Sequence, residues 1–93
     1  MMTPVSIVRA AERLQGRVRR TATITSAWLS AVTGADVFLK LENQQIEGSF
    51  KTRGAFHALQ QANVVRAVTA SAGNHGRSLA FAAKELRVAL TVF

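Results

Sequence analysis

Gly48-Ser49-Phe50-Lys51-Thr52-Arg53-Gly54-Ala55 reads as a strand-to-helix turn, with a glycine for the sharp bend and a serine to open the helix. At 3.6 residues per turn Lys51 does not fall among the polar residues Arg53, Gln60 and Gln61. It lies over Ala55, Ala58 and Ala62. A lysine heading a stripe of small apolar side chains is expected on a buried or cavity-lining face. Desolvation disfavours an ammonium, and a desolvated lysine is a nucleophile able to form a Schiff base with a carbonyl. The alternative is a lysine that snorkels to water or joins a salt bridge.

Working outward, the spacing predicts a helix from the Ser49 cap to about Ala62, then a strand over Val64–Thr69. Ser71-Ala72-Gly73-Asn74-His75-Gly76 reads as a turn. A helix over 75–86 follows, with His75, Leu79, Ala82 and Leu86 on one stripe, and Val88–Phe93 begins another strand. Upstream, Glu42–Gly48 is a polar loop and Asp36–Leu41 a strand. Ser26–Thr33 is a short helix with Ser26 as cap and Gly34 past its end. Residues 16–25 read as an extended connector. Residues 4–15 read as a helix that Thr3 caps, Pro4 opens and Gly16 ends, with Ile7, Ala11 and Leu14 on one face. The arginine-rich, acid-poor start also resembles a transit peptide, but the shared apolar face favours a surface helix.

Strands alternating with helices predict an α/β fold of parallel βαβ units, each with a right-handed crossover. Parallel strands need cover on both faces and neighbours at both edges. Three strands in 93 residues are too few, so the chain is expected to be a fragment or a truncated reading frame.

Composition narrows the function. There is no cysteine, which excludes disulfide frameworks and thiolate metal sites. No metal site is expected, and no apolar run reaches the roughly 20 residues of a membrane span. Twelve Lys and Arg against five Asp and Glu give a net charge of +7. The cations are scattered apart from Arg17, Arg19 and Arg20, with no aromatic interleaving. Nucleic acid is therefore not the expected partner, and anionic small molecules better account for part of the charge.

Both candidate sites follow strands, where open parallel sheets bind ligands. The Lys51 turn is one. The other is Thr69–Gly76, which leads into a helix N-terminus with free backbone N–H groups, a natural seat for a carboxylate or phosphate. Ser71 adds a hydroxyl and Asn74 an amide. The plainer reading of both is ordinary helix capping. His75 is expected to be packed or hydrogen-bonded rather than catalytic, and His57 to lie at the surface. A nucleophilic lysine beside an anion-binding turn suits an amino acid joined to a carbonyl cofactor.

Lys40-Leu41-Glu42-Asn43, Gly48–Ala55 and Ala70–Gly76 occur together, in this order and spacing. The set resembles the serine/threonine dehydratases among the fold-type II pyridoxal-phosphate enzymes, and the similarity runs from Ile7 to the C-terminus. The resemblance implies the two-domain fold of that group, like the tryptophan synthase β chain. Residues 1–70 would open the large domain and 71–93 the small one. It implies pyridoxal 5'-phosphate as cofactor, bound covalently to Lys51, which later moves the α-proton. Phe50 would pack near the ring and Asn74 would bond its phenolic oxygen. Ser71, Gly73, Asn74 and His75 would surround the substrate carboxylate. The implied reaction is loss of water from L-threonine or L-serine, giving a 2-oxo acid and ammonia. A cytoplasmic homo-oligomer is expected of the full-length protein.

Relatives with other activities differ at single positions. O-acetylserine-using synthases and threonine synthases usually carry Thr where His75 stands, and the threonine-synthase lysine motif has Asp where Thr52 is. Serine racemases usually carry an acid/base serine at Ala72, which has no proton to give. This favours elimination over racemisation. The chain has Thr21-Ala22-Thr23 where the family commonly has Thr-Pro-Leu. The glycine-rich loop for the cofactor phosphate is missing, as is the later serine or cysteine that meets the pyridine nitrogen. The 93 residues alone are therefore expected to be inactive.

Overall fold

A computed structural model describes all residues, Met1–Phe93. Helix α1 spans Pro4–Leu14 and begins as the sequence implies. The Thr3 hydroxyl accepts the Ser6 N–H at 3.2 Å and the Ser6 hydroxyl accepts the Thr3 N–H at 2.8 Å, so two otherwise unpaired donors are satisfied together. Of its expected apolar face only Leu14 is buried; Ile7 and Ala11 are exposed. Helix α2, Ala27–Thr33, has the predicted ends. The Ser26 hydroxyl accepts the Leu29 N–H at 3.3 Å, and Gly34 closes it at φ 71°.

The connector 16–25 is not wholly irregular. Thr23–Thr25 form strand β1, which pairs antiparallel with β2, Phe38–Lys40, in the register Ile24 opposite Leu39. Main-chain bonds from Ser26 to Val37 and from Leu41 to Ala22 lengthen the ladder. The expected strand 36–41 is thus shorter, and it does not enter a parallel sheet with the later strands. After β2 the chain makes a 3-10 turn over Glu42–Gln44 and bends at Gly48, φ 73°, into helix α3, Lys51–Ala62.

The second half keeps the predicted βαβ order. Asn63, at φ 48°, ends α3. Strand β3 is Arg66–Thr69, α4 is Asn74–Leu86, and β4 is Ala89–Val92. Strands β3 and β4 are parallel, with Ala67 opposite Leu90 and Val68 opposite Thr91. The core lies where α3 crosses α4 and draws on both sides of position 70: Leu14, Phe56, Leu59, Ala82 and Ala83. Small residues on α4 let the helices approach closely. The buried hydroxyls of Thr52 and Ser78 stand 3.5 Å apart across the crossing, and Phe56 meets Phe81 at 6.2 Å between ring centroids. Val65, Val68 and Phe93 remain exposed on the parallel pair.

Candidate functional site

The bend into α3 rests on Gly48. Its N–H donates to the Gln45 carbonyl at 2.8 Å, and its positive φ is a conformation that glycine adopts without strain. Ser49 is buried and its hydroxyl accepts the Lys51 N–H at 3.3 Å. The expected serine cap is displaced by one position, because the helix starts at Lys51 and Phe50 occupies the capping position with no side-chain bond. Lys51 heads the helix as predicted.

The environment of that amine differs from the expectation. Lys51 is exposed, and of its stripe only Ala55 is buried while Ala58 and Ala62 face solvent. The reason lies in the helix rotation. Thr52, Ala55, Phe56 and Leu59 fill the interface with α4, so the core face is centred roughly 90° from Lys51 at 100° per residue. Lys51 therefore stands on a flank, where it lines an open cleft instead of a dry pocket. Its ammonium lies 5.3 Å from the Phe50 ring centroid and joins no ion pair.

The second turn supplies the opposite wall. The Ser71 hydroxyl accepts the N–H groups of Gly73 at 3.2 Å and Gly76 at 3.0 Å, so it performs the capping. Gly73 occupies the capping position of α4 and Asn74 is the first helical residue, its side chain exposed and unbonded. The N–H groups of Asn74 and His75 have no acceptor within the chain. These bare donors and the aligned peptide dipoles make the end of α4 attractive to an anion. Gly76 is required by proximity: a Cβ there would stand 3.0 Å from the Ser71 carbonyl oxygen.

A cleft of about 280 Å³ joins the two turns, lined by Phe50, Lys51, Gly54, Ala55, Ala58, His75 and Leu79. It brings Lys51 and His75 to one space. Ser71, Gly73 and Asn74 are not on its wall. A larger hollow of about 500 Å³ under α1, lined by Val8, Leu14, Arg19, Arg20 and Arg53 among others, holds no nucleophile. His57, expected at the surface, is half-buried with Nε2 enclosed and unpaired. It shares with Arg53 and Gln60 the flank of α3 away from Lys51.

One cluster escaped the motif reading. The Glu42 carboxylate accepts from Arg53 Nε at 2.8 Å and Nη2 at 2.6 Å, from the Thr21 hydroxyl at 3.0 Å, and from Gln45 Nε2 at 3.3 Å. Burial pushes the Glu42 carboxyl up. The hydrogen bonds from Arg53, Thr21 and Gln45, with the Arg53 charge, outweigh burial and hold it below the ordinary carboxylate value. Opposite charges on either side of the lysine turn were the available signal.

Residues 14–93 match the family described as pyridoxal-phosphate dependent enzyme. The chain belongs to that family. Among its relatives, the L-threo-3-hydroxyaspartate ammonia-lyase of a Pseudomonas species is 46% identical over 90 residues, which are 92% of this chain and 28% of that one. The L-threonine ammonia-lyase of Thermotoga maritima is 41% identical over 96 residues, 99% of this chain and 24% of that one. The chain thus spans about a quarter of the length of the curated relatives it matches. A crystal structure of a pyridoxal 5'-phosphate-dependent aspartate racemase superposes with a TM-score of 0.84 at 34% identity, over 98% of this chain and 31% of that one. These likenesses bear out the fold class expected from the motifs. The cleft suits the family's cofactor: an amine held in no ion pair can meet an aldehyde, the Phe50 ring can flank a planar heterocycle, and bare N–H groups can meet anionic oxygens.

Proposed function

We propose that Lys51 is the covalent anchor for pyridoxal phosphate and that the protein is a lyase removing water from L-threonine or L-serine, leaving a 2-oxo acid and ammonia. When bound, the cofactor supplies an electron sink for the bond broken at the substrate Cα. The Lys51 amine, which lines the cleft and joins no ion pair, would hold the cofactor and would be the group to move the α-proton. The substrate carboxylate binds at the end of α4, where the N–H groups of Asn74 and His75 are bare. Ser71 and Gly73 shape that seat, since the Ser71 hydroxyl holds the Gly73 N–H in place. The Asn74 amide would donate to the phenolic oxygen of the ring, and Phe50, on the cleft wall, would flank it. Ala72 offers no proton to the opposite face of Cα, which favours elimination over racemisation.

The observation that carries this reading is an unpaired lysine sharing one cleft with the bare end of a helix. Incubating the intact protein with pyridoxal phosphate, reducing with borohydride and mapping the labelled peptide tests it directly. Label on Lys51, lost in Lys51→Ala, is expected, and label on Lys40 or Lys84 instead would refute it. Product assays with L-threonine should yield 2-oxobutyrate. A second reading takes 3-hydroxyaspartate as substrate. It is favoured by the 46% identical relative and by a cleft wall with no acidic side chain. Oxaloacetate formed faster from L-threo-3-hydroxyaspartate than 2-oxobutyrate from threonine would select it. On either reading the 93 residues alone are expected to give no turnover, with residues 1–70 opening the larger domain of a homo-oligomeric enzyme and 71–93 the smaller.

A further inference from the structure

Lys51 joins no ion pair, and α3 begins without a side-chain cap at Phe50. The amine therefore goes wherever the first helical turn takes it. Ser49 and Thr52 hold that turn weakly, through bonds of 3.3 Å. The short bonds lie at Arg53, two residues on and about 200° around the helix from Lys51, on the flank away from the cleft.

There the Arg53 guanidinium meets Glu42 at 2.6 and 2.8 Å and donates to the Arg19 carbonyl at 3.1 Å. Gln45, 2% exposed, binds both the N–H and the carbonyl of Arg19, at 2.8 and 2.9 Å, and donates to Glu42. The Thr21 hydroxyl completes the carboxylate's shell. One carboxylate thus gathers three stretches: the connector at 19–21, the turn at 42–45 and the start of α3. It stands two residues past β2, and Leu41 between them is bonded to Ala22, so the antiparallel pair backs it.

We propose that Glu42 and Arg53 are positioning residues for Lys51: core packing gives α3 its overall rotation, and the ion pair fixes the loosely held first turn within it and so aims the amine into the cleft. The inference rests on the cofactor reading of Lys51. A lysine amine stands about 6 Å from a helix axis, so a rotation of about 20° carries it about 2 Å. A misplacement of roughly 1 Å can slow a reaction about 100-fold.

The test uses the intact protein and pyridoxal phosphate alone, and measures the rate at which borohydride-fixable label appears on Lys51. Glu42→Gln and Arg53→Lys should each slow capture by roughly 10- to 100-fold. The double variant should be no slower than the worse single one, because both break the same pair. Glu85→Gln, an equal change of charge at an exposed site on α4, should capture at the wild-type rate. Circular dichroism and urea midpoints identify conditions under which every variant is folded, so that lost stability alone does not move the rate. A folded Glu42→Gln that captures at the wild-type rate overturns the proposal. Should that variant fail to fold, Thr21→Val, which removes one bond to the same carboxylate, should still slow capture several-fold, and a wild-type rate there also overturns it. If the wild-type protein places no label on Lys51, the cofactor reading itself fails and takes this one with it.

Discussion

Truncating Phe56 should cost more than any other single change to the core, and the cost can be worked from its surroundings. Its side chain is fully enclosed, at 0% exposure, between α3 and α4 and beside Phe81. The other buried members of the cluster are Leu14, Leu59, Ala82 and Ala83, and the helix backbones fix Phe81 and Leu79 around them, so the space left behind closes only in part. Phe-to-Ala changes at such sites cost about 3–5 kcal/mol, the transfer free energy of the ring plus the cavity. A domain of this length has in all roughly 5–14 kcal/mol at about 0.05–0.15 kcal/mol per residue. Phe56→Ala should therefore remove about a fifth of the stability at the least. Urea unfolding followed by circular dichroism reads it as a lower midpoint at nearly constant slope. The control is Phe50→Ala. Phe50 is 64% exposed, so its loss should cost about 0.5 kcal/mol or less while impairing cofactor capture. A loss below about 1 kcal/mol for Phe56→Ala, or equal losses for both, would refute the assignment of the core to the α3–α4 crossing.

Three further outcomes follow from the site. Glu42 is held below its ordinary value of 4.5 in the folded state, so its contribution is complete above that pH and is lost as the pH falls through the folded-state value. Glu42→Gln should accordingly be less stable by roughly 1–2 kcal/mol at neutral pH, with the gap closing in acid, as paired urea titrations at several pH values would reveal. Gly76→Ala should lose roughly 1–3 kcal/mol and loosen the Ser71 hydroxyl from the end of α4, visible as faster hydrogen exchange at the residue-76 amide. Gly54→Ala meets nothing within 4 Å and should stabilise α3 by about 0.5–1 kcal/mol in urea, while its methyl narrows the cleft and weakens cofactor capture measured by absorbance.

Local chemistry made most helices legible. Thr3, Pro4, Ser26 and Gly34 mark helix ends by the bonds their side chains and backbones can make, and the ends fall where they stand. The βαβ order of the second half was legible for the same reason, and so was the lysine at the head of α3. Strand β1 was not, because three residues are too few for alternation to stand out. The antiparallel pairing of β2 was hidden as well, since direction is decided by the partner and not by the strand's own pattern. The exposure of Lys51 turned on helix rotation. The small stripe Ala55, Ala58 and Ala62 looked like a buried face, but Phe56 and Leu59 outweigh it and turn it aside. The Glu42–Arg53 pair spans eleven positions, so the opposite charges flanking the lysine turn hint at it but no helix or strand period pairs them.

The two sheets share no main-chain hydrogen bond. Only α3, side-chain contacts and packing join the antiparallel leaf to the parallel one, and Lys51 rides on the seam between them. Either leaf can breathe without unzipping the other. Amide exchange at Ile24 and at Val68 should therefore run on separate clocks, and a ligand that bridges the seam should bring the two into step.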